Sequence, residues 1–305
     1  MQSTTRKIIV SFFCLAMTCA ARADWTSPQK IGQTTRMAPA LAFGGQLNLV
    51  HAGNSNDFLY YSVFDSGSWS NNVRLAGERC KGTGPALVAT TESGLVLIYR
   101  GESTKGNLWL ATGGGNEWSA GGQMTDVNGK PIQGAQGIAA TTVPSRGHEP
   151  IFVVYRDSGN NVWYTAGQAS AQGWSVPVKI AGVQTPTAPA LSWAGTLHMQ
   201  IVGMGGKIYD CVQNNDGSWT STAIKDAEGV AVGSAAGSNL YVVYIGKGGE
   251  HLWFTSFQND WTKPTQIKGQ DATYAPALAV DGADRLNMVY VGRGGSELYY
   301  SQYSP

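Results

Sequence analysis

The residues best suited to chemistry recur at one place in six related segments. These read AGNSNDFLYYS, RGESTKGNLWLA, RDSGNNVWYTA, VGMGGKIYDCV, IGKGGEHLWFTS and VGRGGSELYYSQ. Each holds an aromatic residue at one position: Tyr60, Trp109, Trp163, Tyr209, Trp253 or Tyr299. Two positions earlier stands Phe58, Asn107, Asn161, Lys207, His251 or Glu297, and beside the turn lie Arg100, Arg156, Lys247 and Arg293. Side chains two apart on a strand share a face, so five of the six segments present an aromatic ring and a polar group together. A pyranose suits such a pair, because its C–H face stacks on a ring while its hydroxyls need directed donors and acceptors. The competing expectation is that these rings fill space between repeats.

Catalytic patterns are scarce by comparison. Glu102, Glu149, Asp157, Glu250 and Glu297 are the carboxylates near loops, and no repeat stands out with the extra pair that glycoside hydrolysis requires. His51, His148, His198 and His251 do not cluster, and neither an H-E-x-x-H nor a G-x-S-x-G pattern occurs. No metal or other cofactor is expected. Arg146, Gly147, His148 and Glu149 form one irregular polar cluster, with a solvated loop tip as its simplest reading.

The elements that position these residues are themselves repeated. Six units begin at Ala38, Gly84, Gln136, Ala188, Gly229 and Ala275. Each runs small-apolar strand, turn, L-x-x-V-Y strand, Gly-rich turn, L-W/Y-Y-S strand, turn, then a W-x-x-x-x-x-I-x-G segment. Trp25, Trp69, Trp118, Trp174, Trp219 and Trp261 mark the fourth strands, at spacings of 44, 49, 56, 45 and 42 residues. Four short strands per unit of roughly 40–50 residues is the pattern of propeller blades. Unit three carries an insertion. The sixth unit lacks a fourth strand, and DWTSPQKIG at the N-terminal side matches DWTKPTQIKG of unit five. The expected fold is therefore an all-β, six-bladed propeller of four-stranded blades, its last blade closed by the N-terminal strand, which removes two raw sheet edges. The fourth-strand tryptophans are expected to pack between blades. Cys80 and Cys211 fall in units far apart on such a ring, beyond disulfide reach, and both are expected to be free, buried thiols.

Residues 1–23 read as a secretory signal peptide: Arg6 and Lys7, a thirteen-residue apolar run, then Ala21-Arg22-Ala23 as a cleavage site before Asp24. A lipid-attachment role for Cys14 or Cys19 lacks the small residues expected before it. Residues 24–305 then form one domain, secreted or periplasmic. Without Arg6, Lys7 and Arg22 the chain holds 18 basic against 20 acidic residues. That balance provides no footprint for nucleic acid or anionic lipid, and no later segment is long and apolar enough to span a bilayer. The 42% apolar and 13% charged content supports a packed core rather than disorder.

Two family resemblances follow from these motifs. SVFDSGSW and QNNDGSW loosely resemble the Asp-box turn of sialidases, but the arginines lie in no arrangement that would grip a sialic acid carboxylate. The APAL…L-x-x-V-Y-x-G-x-G-G-x-x-L-W/Y-Y-S…W-x-x-P-x-x-I-x-G pattern, clearest in units five and six, resembles bacterial and fungal propeller lectins: the tachylectin-like, Photorhabdus-type and fucose lectins. In the fucose lectins an Arg, a Glu and an aromatic grip each sugar between blades. Arg293, Glu297 and Tyr299 have those types, as do Lys247, Glu250 and Trp253 with Lys in place of Arg. Unit four, with Lys207 and Tyr209 but no matching Glu, departs from the pattern. The resemblance implies a multivalent, non-catalytic binder of glycans or glycoconjugates. A sialidase-like glycoside hydrolase and a protein-interaction propeller are the alternatives. The oligomeric state is not legible.

Overall fold

The computed structural model describes residues 24–305, apart from 103, 104, 116 and 146–148. The expected signal peptide lies outside the described residues, as do Arg146, Gly147 and His148. Glu149 is described, and its Oε2 accepts a hydrogen bond from the Thr91 backbone N–H of unit two at 2.7 Å.

The described residues are all-β, a propeller-like arrangement of antiparallel meanders. Unit one shows the plan: Ala40–Phe43, Leu47–Ala52 and Phe58–Asp65 pair in order, followed by Ser68–Trp69 and Val73–Arg79 on the outer side. The first strands, Ala40–Phe43, Ala86–Thr90, Gly137–Thr142, Ala190–Trp193, the C-terminal part of Trp219–Ala236, and Ala277–Val280, touch one another in a closed cycle. This is why their residues are small: six inner strands crowd one axis. Gly84, Gly137 and Gly233 mark the tightest places. A Cβ at Gly137 would lie 2.7 Å from Ala188 Cα, and one at Gly84 or Gly233 would meet the Ala38 or Pro276 carbonyl.

The two chain ends share one sheet. Asp24–Trp25 and Gln29–Thr34 both pair with Glu297–Ser304, with Trp25 opposite Tyr303 and Lys30 opposite Tyr299.

Two features depart from six separate four-stranded sheets. The outer strand is broken into two short pieces in units one, two and six. Units four and five are joined by a single 18-residue strand, Trp219–Ala236, into one seven-stranded sheet. Four units enter the first strand through a proline, Pro39, Pro85, Pro189 or Pro276, which has no N–H to continue a ladder. Units three and five have Ile138 and Val232 at the corresponding place, and in unit five the backbone stays paired from one meander into the next.

Part of the extra length before Trp174 is a small clasp between units two and three. Thr125 bridges Pro131, and Asp126 lies in a parallel bridge with Trp174. The Val127 N–H donates to the Trp174 carbonyl at 2.8 Å, and the Thr125 N–H to that of Ala171 at 2.8 Å. Trp174 is thereby fully buried, whereas the other fourth-strand tryptophans are half-buried.

The core lies between meanders. Trp69 packs edge-on against Tyr300 of unit six (5.8 Å between ring centroids), Trp118 against Tyr61 of unit one (5.6 Å), Trp219 against Tyr164 of unit three (6.2 Å), and Trp25 against Phe254 of unit five (5.7 Å). Edge-to-face pairs of this kind add about 0.5–1.5 kcal/mol each beyond area burial. Cys80 and Cys211 are free and buried, in line with the sequence expectation.

Candidate functional site

The aromatic and polar residues of the second-to-third-strand hairpins are placed by one recurring device. Opposite five of the six hairpins the outer strand bulges, shifting register between Phe58 and Tyr60, Asn161 and Trp163, Lys207 and Tyr209, His251 and Trp253, or Glu297 and Tyr299. The residue that makes this possible is the glycine of the I-x-G segment. Gly77, Gly182 and Gly269 have φ of 77°, 72° and 71°, and Asp226 does the same work in unit four at 60°. A residue in the left-handed region lets the outer strand bulge without ending it, in these four units advancing five positions where the hairpin strand advances two.

The third-strand rings lie over the end of the second strand. A Cβ at Gly246 would be 2.5 Å from Trp253 Nε1, one at Gly203 2.6 Å from Tyr209, and one at Gly292 2.5 Å from Tyr299. Gly53 and Gly101 are covered by Tyr60 and Trp109 in the same way. Beneath them the rings meet cross-strand neighbours: Tyr299 stacks on Tyr290 at 5.7 Å and 22°, Tyr60 on His51 at 5.8 Å and 18°. All six aromatics are half-buried. Each therefore fills space near a unit boundary and still presents part of its ring to solvent, so the packing and binding expectations for these positions are not exclusive.

Unit three is the exception that explains the glycines. The corresponding residue there is Asp157. Its Oδ2 accepts from Trp163 Nε1 at 2.9 Å and Asn161 Nδ2 at 3.0 Å, and its Oδ1 from the backbone N–H of Gly159 and Asn161 at 2.8 and 2.9 Å. Burial raises the Asp157 pKa, but the hydrogen bonds from Trp163, Asn161 and Gly159 prevail and hold it below the ordinary carboxylate range. Arg156 Nη1 donates to Asn160 Oδ1 at 2.8 Å. Thus the Asp157 carboxylate brings Asn161 and Trp163 together, and Arg156 is tied to the same turn through Asn160. The sequence marks Asp157 only as a carboxylate near a loop. Its replacement of a glycine five times present elsewhere is the signal that identifies its role.

In unit two, Arg100 Nη1 donates to the Lys81 carbonyl at 3.0 Å. Asn107 Oδ1 and Trp109 Nε1 have no hydrogen-bond partner among the described residues. Units five and six are arranged differently. Lys247 reaches back to unit four, 3.2 Å from Glu228 Oε2 and 3.2 Å from the Gly205 carbonyl. Glu250 forms an ion pair with Arg293 across the boundary of units five and six. Glu297 pairs with Lys30 of the N-terminal strand at 3.2 Å, and His251 Nδ1 lies 2.6 Å from Asp271 Oδ1. The charged members of these two sets engage neighbouring strands, while Trp253 and Tyr299 keep their places over Gly246 and Gly292. Among the described residues no group of three or more His, Cys, Asp or Glu is placed to hold a metal ion, and no helix is long and apolar enough to cross a membrane.

No protein-family model matches the chain, and no curated protein matches it in sequence. Solved structures do match. A lectin from Aleuria aurantia, described as a fungal lectin with a six-bladed β-propeller fold and a novel fucose recognition mode, is 16% identical; the match covers 91% of this chain and 96% of that one, with a TM-score of 0.65. A mutant of AofleA from Arthrobotrys oligospora is 12% identical over 90% of this chain and 86% of that one, TM-score 0.66. A protein of unknown function from Dyadobacter fermentans is 10% identical over 90% and 98%, TM-score 0.64. At these identities the likeness is one of fold, and the chain has a six-bladed β-propeller fold similar to that of the Aleuria fucose-binding lectin.

Proposed function

We propose that the protein is a multivalent carbohydrate-binding protein without catalysis, built on six blades and exported by the N-terminal signal. The observation that carries this reading is the half-exposed aromatic ring repeated on one hairpin face, with polar side chains beside it. The similarity of fold to a fucose-recognising lectin supports it. Several weak sites on one rigid ring gain avidity on a glycan-coated surface. The sets Arg100, Asn107, Trp109 and Arg156, Asn161, Trp163 carry amides beside the ring and suit neutral sugars. The sets Lys247, Glu250, Trp253 and Arg293, Glu297, Tyr299 are bound into ion pairs, and sugar binding there requires those pairs to rearrange.

A glycan array with the purified protein tests the reading. Binding to a related set of glycans, weakened by Trp109→Ala and Trp163→Ala in folded protein, is the expected result. A blank array at high protein concentration overturns it, and turnover of a glycoside panel abolished by one carboxylate change would assign an enzyme instead.

A further inference from the structure

The axis of the molecule holds a second kind of cavity, at the opposite ends of the strands from the hairpins discussed above. The first strands place Leu41, Leu87, Leu191 and Leu278 at equivalent positions, each buried to within 6–8% exposure, with Ala140 and Ser234 completing the ring. These residues border both of two cavities along the axis. On the side of the second-to-third-strand hairpins lies a tight compartment of about 130 Å³, walled by Ala, Pro and Gly. On the other side lies a vestibule of about 300 Å³, at the lower end of the size range of small-molecule pockets, about 300–1,000 Å³.

The vestibule is not a plain apolar hole. Phe43 and Trp193 line it, both half-buried. They occupy the same position in units one and four, which stand opposite each other in a cycle of six. Thr141, Thr142, Ser192 and Ser234 supply hydroxyls, and Ser192 Oγ and Ser234 Oγ are hydrogen-bonded to each other at 2.8 Å. No ionisable side chain is among the described lining residues.

We infer that the vestibule is a single binding site for one uncharged pyranose ring, such as the end of a neutral saccharide. Two rings across the axis provide stacking surfaces for its C–H faces, and the hydroxyls meet its oxygens. A carboxylate or ammonium group would lose its hydration with no counter-charge among the described lining residues to replace it. The site is distinct from the hairpin face and stands whether or not that face binds glycans.

The test is a fluorescence and calorimetric titration of the purified protein with methyl glycosides of glucose, galactose, mannose and fucose, with glucuronate and glucosamine as charged controls. At least one neutral glycoside should bind through this site with one ligand per chain. Trp193→Leu and Phe43→Leu should each weaken that event about tenfold, while Trp109→Ala leaves it unchanged. If a variant fails to fold, nuclear Overhauser contacts between ligand protons and the methyls of Thr141, Leu191 and Leu278 in the natural protein answer the same question. Absence of any neutral-glycoside event with those contacts, affinity unaltered in both leucine variants, or equal binding of the charged controls overturns the inference. Loss of binding in Trp109→Ala alone would locate the sugar on the hairpin face and leave the vestibule empty.

Discussion

Trp163 donates its indole N–H to Asp157 Oδ2 at 2.9 Å, and this contact occupies the place where the other units put a glycine beneath the ring. One blade thus holds its aromatic by a hydrogen bond, and five hold theirs by leaving room. Asp157→Ala should cost about 2–3 kcal/mol in urea unfolding, because it strands several donors that now share a charged acceptor. The effect should also depend on pH. A carboxyl whose pKa is lowered by folding contributes its stability above the unfolded value of about 3.9 and loses it as pH falls through the folded value. The stability gap between natural protein and variant should therefore be constant above pH ~4 and narrow below it. A gap that stays the same into strong acid would refute the assignment.

The glycine contacts make a separate prediction. In Gly246→Ala the new Cβ would sit 2.5 Å from Trp253 Nε1, so the ring must move or the strand must shift, at a cost of about 1–3 kcal/mol. Gly205→Ala is the control, since a Cβ there meets nothing within 4 Å. Thermal melts of the two variants, with tryptophan emission as the second readout, should separate them. Equal melting temperatures would show that Trp253 does not rest on Gly246.

The two thiols should be chemically silent in the native state. Burial pushes Cys80 up to about 12 and Cys211 up to about 11, so little thiolate exists near neutral pH. Iodoacetamide at pH 8 should add no mass to the native chain at these positions and one adduct at each after guanidinium unfolding. Rapid native labelling of either cysteine would contradict the burial described.

Closure of the ring should be visible in Trp25. Its ring touches Phe254 of unit five at 5.7 Å and Tyr303 at 5.5 Å, so it ties both chain ends to the neighbouring blade. Trp25→Ala should destabilise the protein by about 2–3 kcal/mol, below the value for a fully buried tryptophan. It should also release the N-terminal strand first in hydrogen exchange. Uniform exchange across all blades would argue against local opening at the seam.

The sequence by itself determined the repeat, the strand types, the free cysteines and the meeting of the two ends, because these rest on local patterns. Alternation, turn glycines and one tryptophan per unit are written in each segment, and DWTSPQKIG carries its kinship to DWTKPTQIKG openly. The bulge glycines were equally legible as the end of I-x-G. Tertiary structure decided which side chains meet across blade boundaries. Arg293 and Glu297 lie four residues apart and look like one group, yet Arg293 turns to Glu250 and Glu297 to Lys30. Such partners are chosen by the packing of neighbouring meanders, which no single repeat encodes. The axial vestibule is of the same kind. Phe43 and Trp193 are 150 positions apart in the chain, and only the closing of six inner strands around one axis sets them on opposite walls of one cavity.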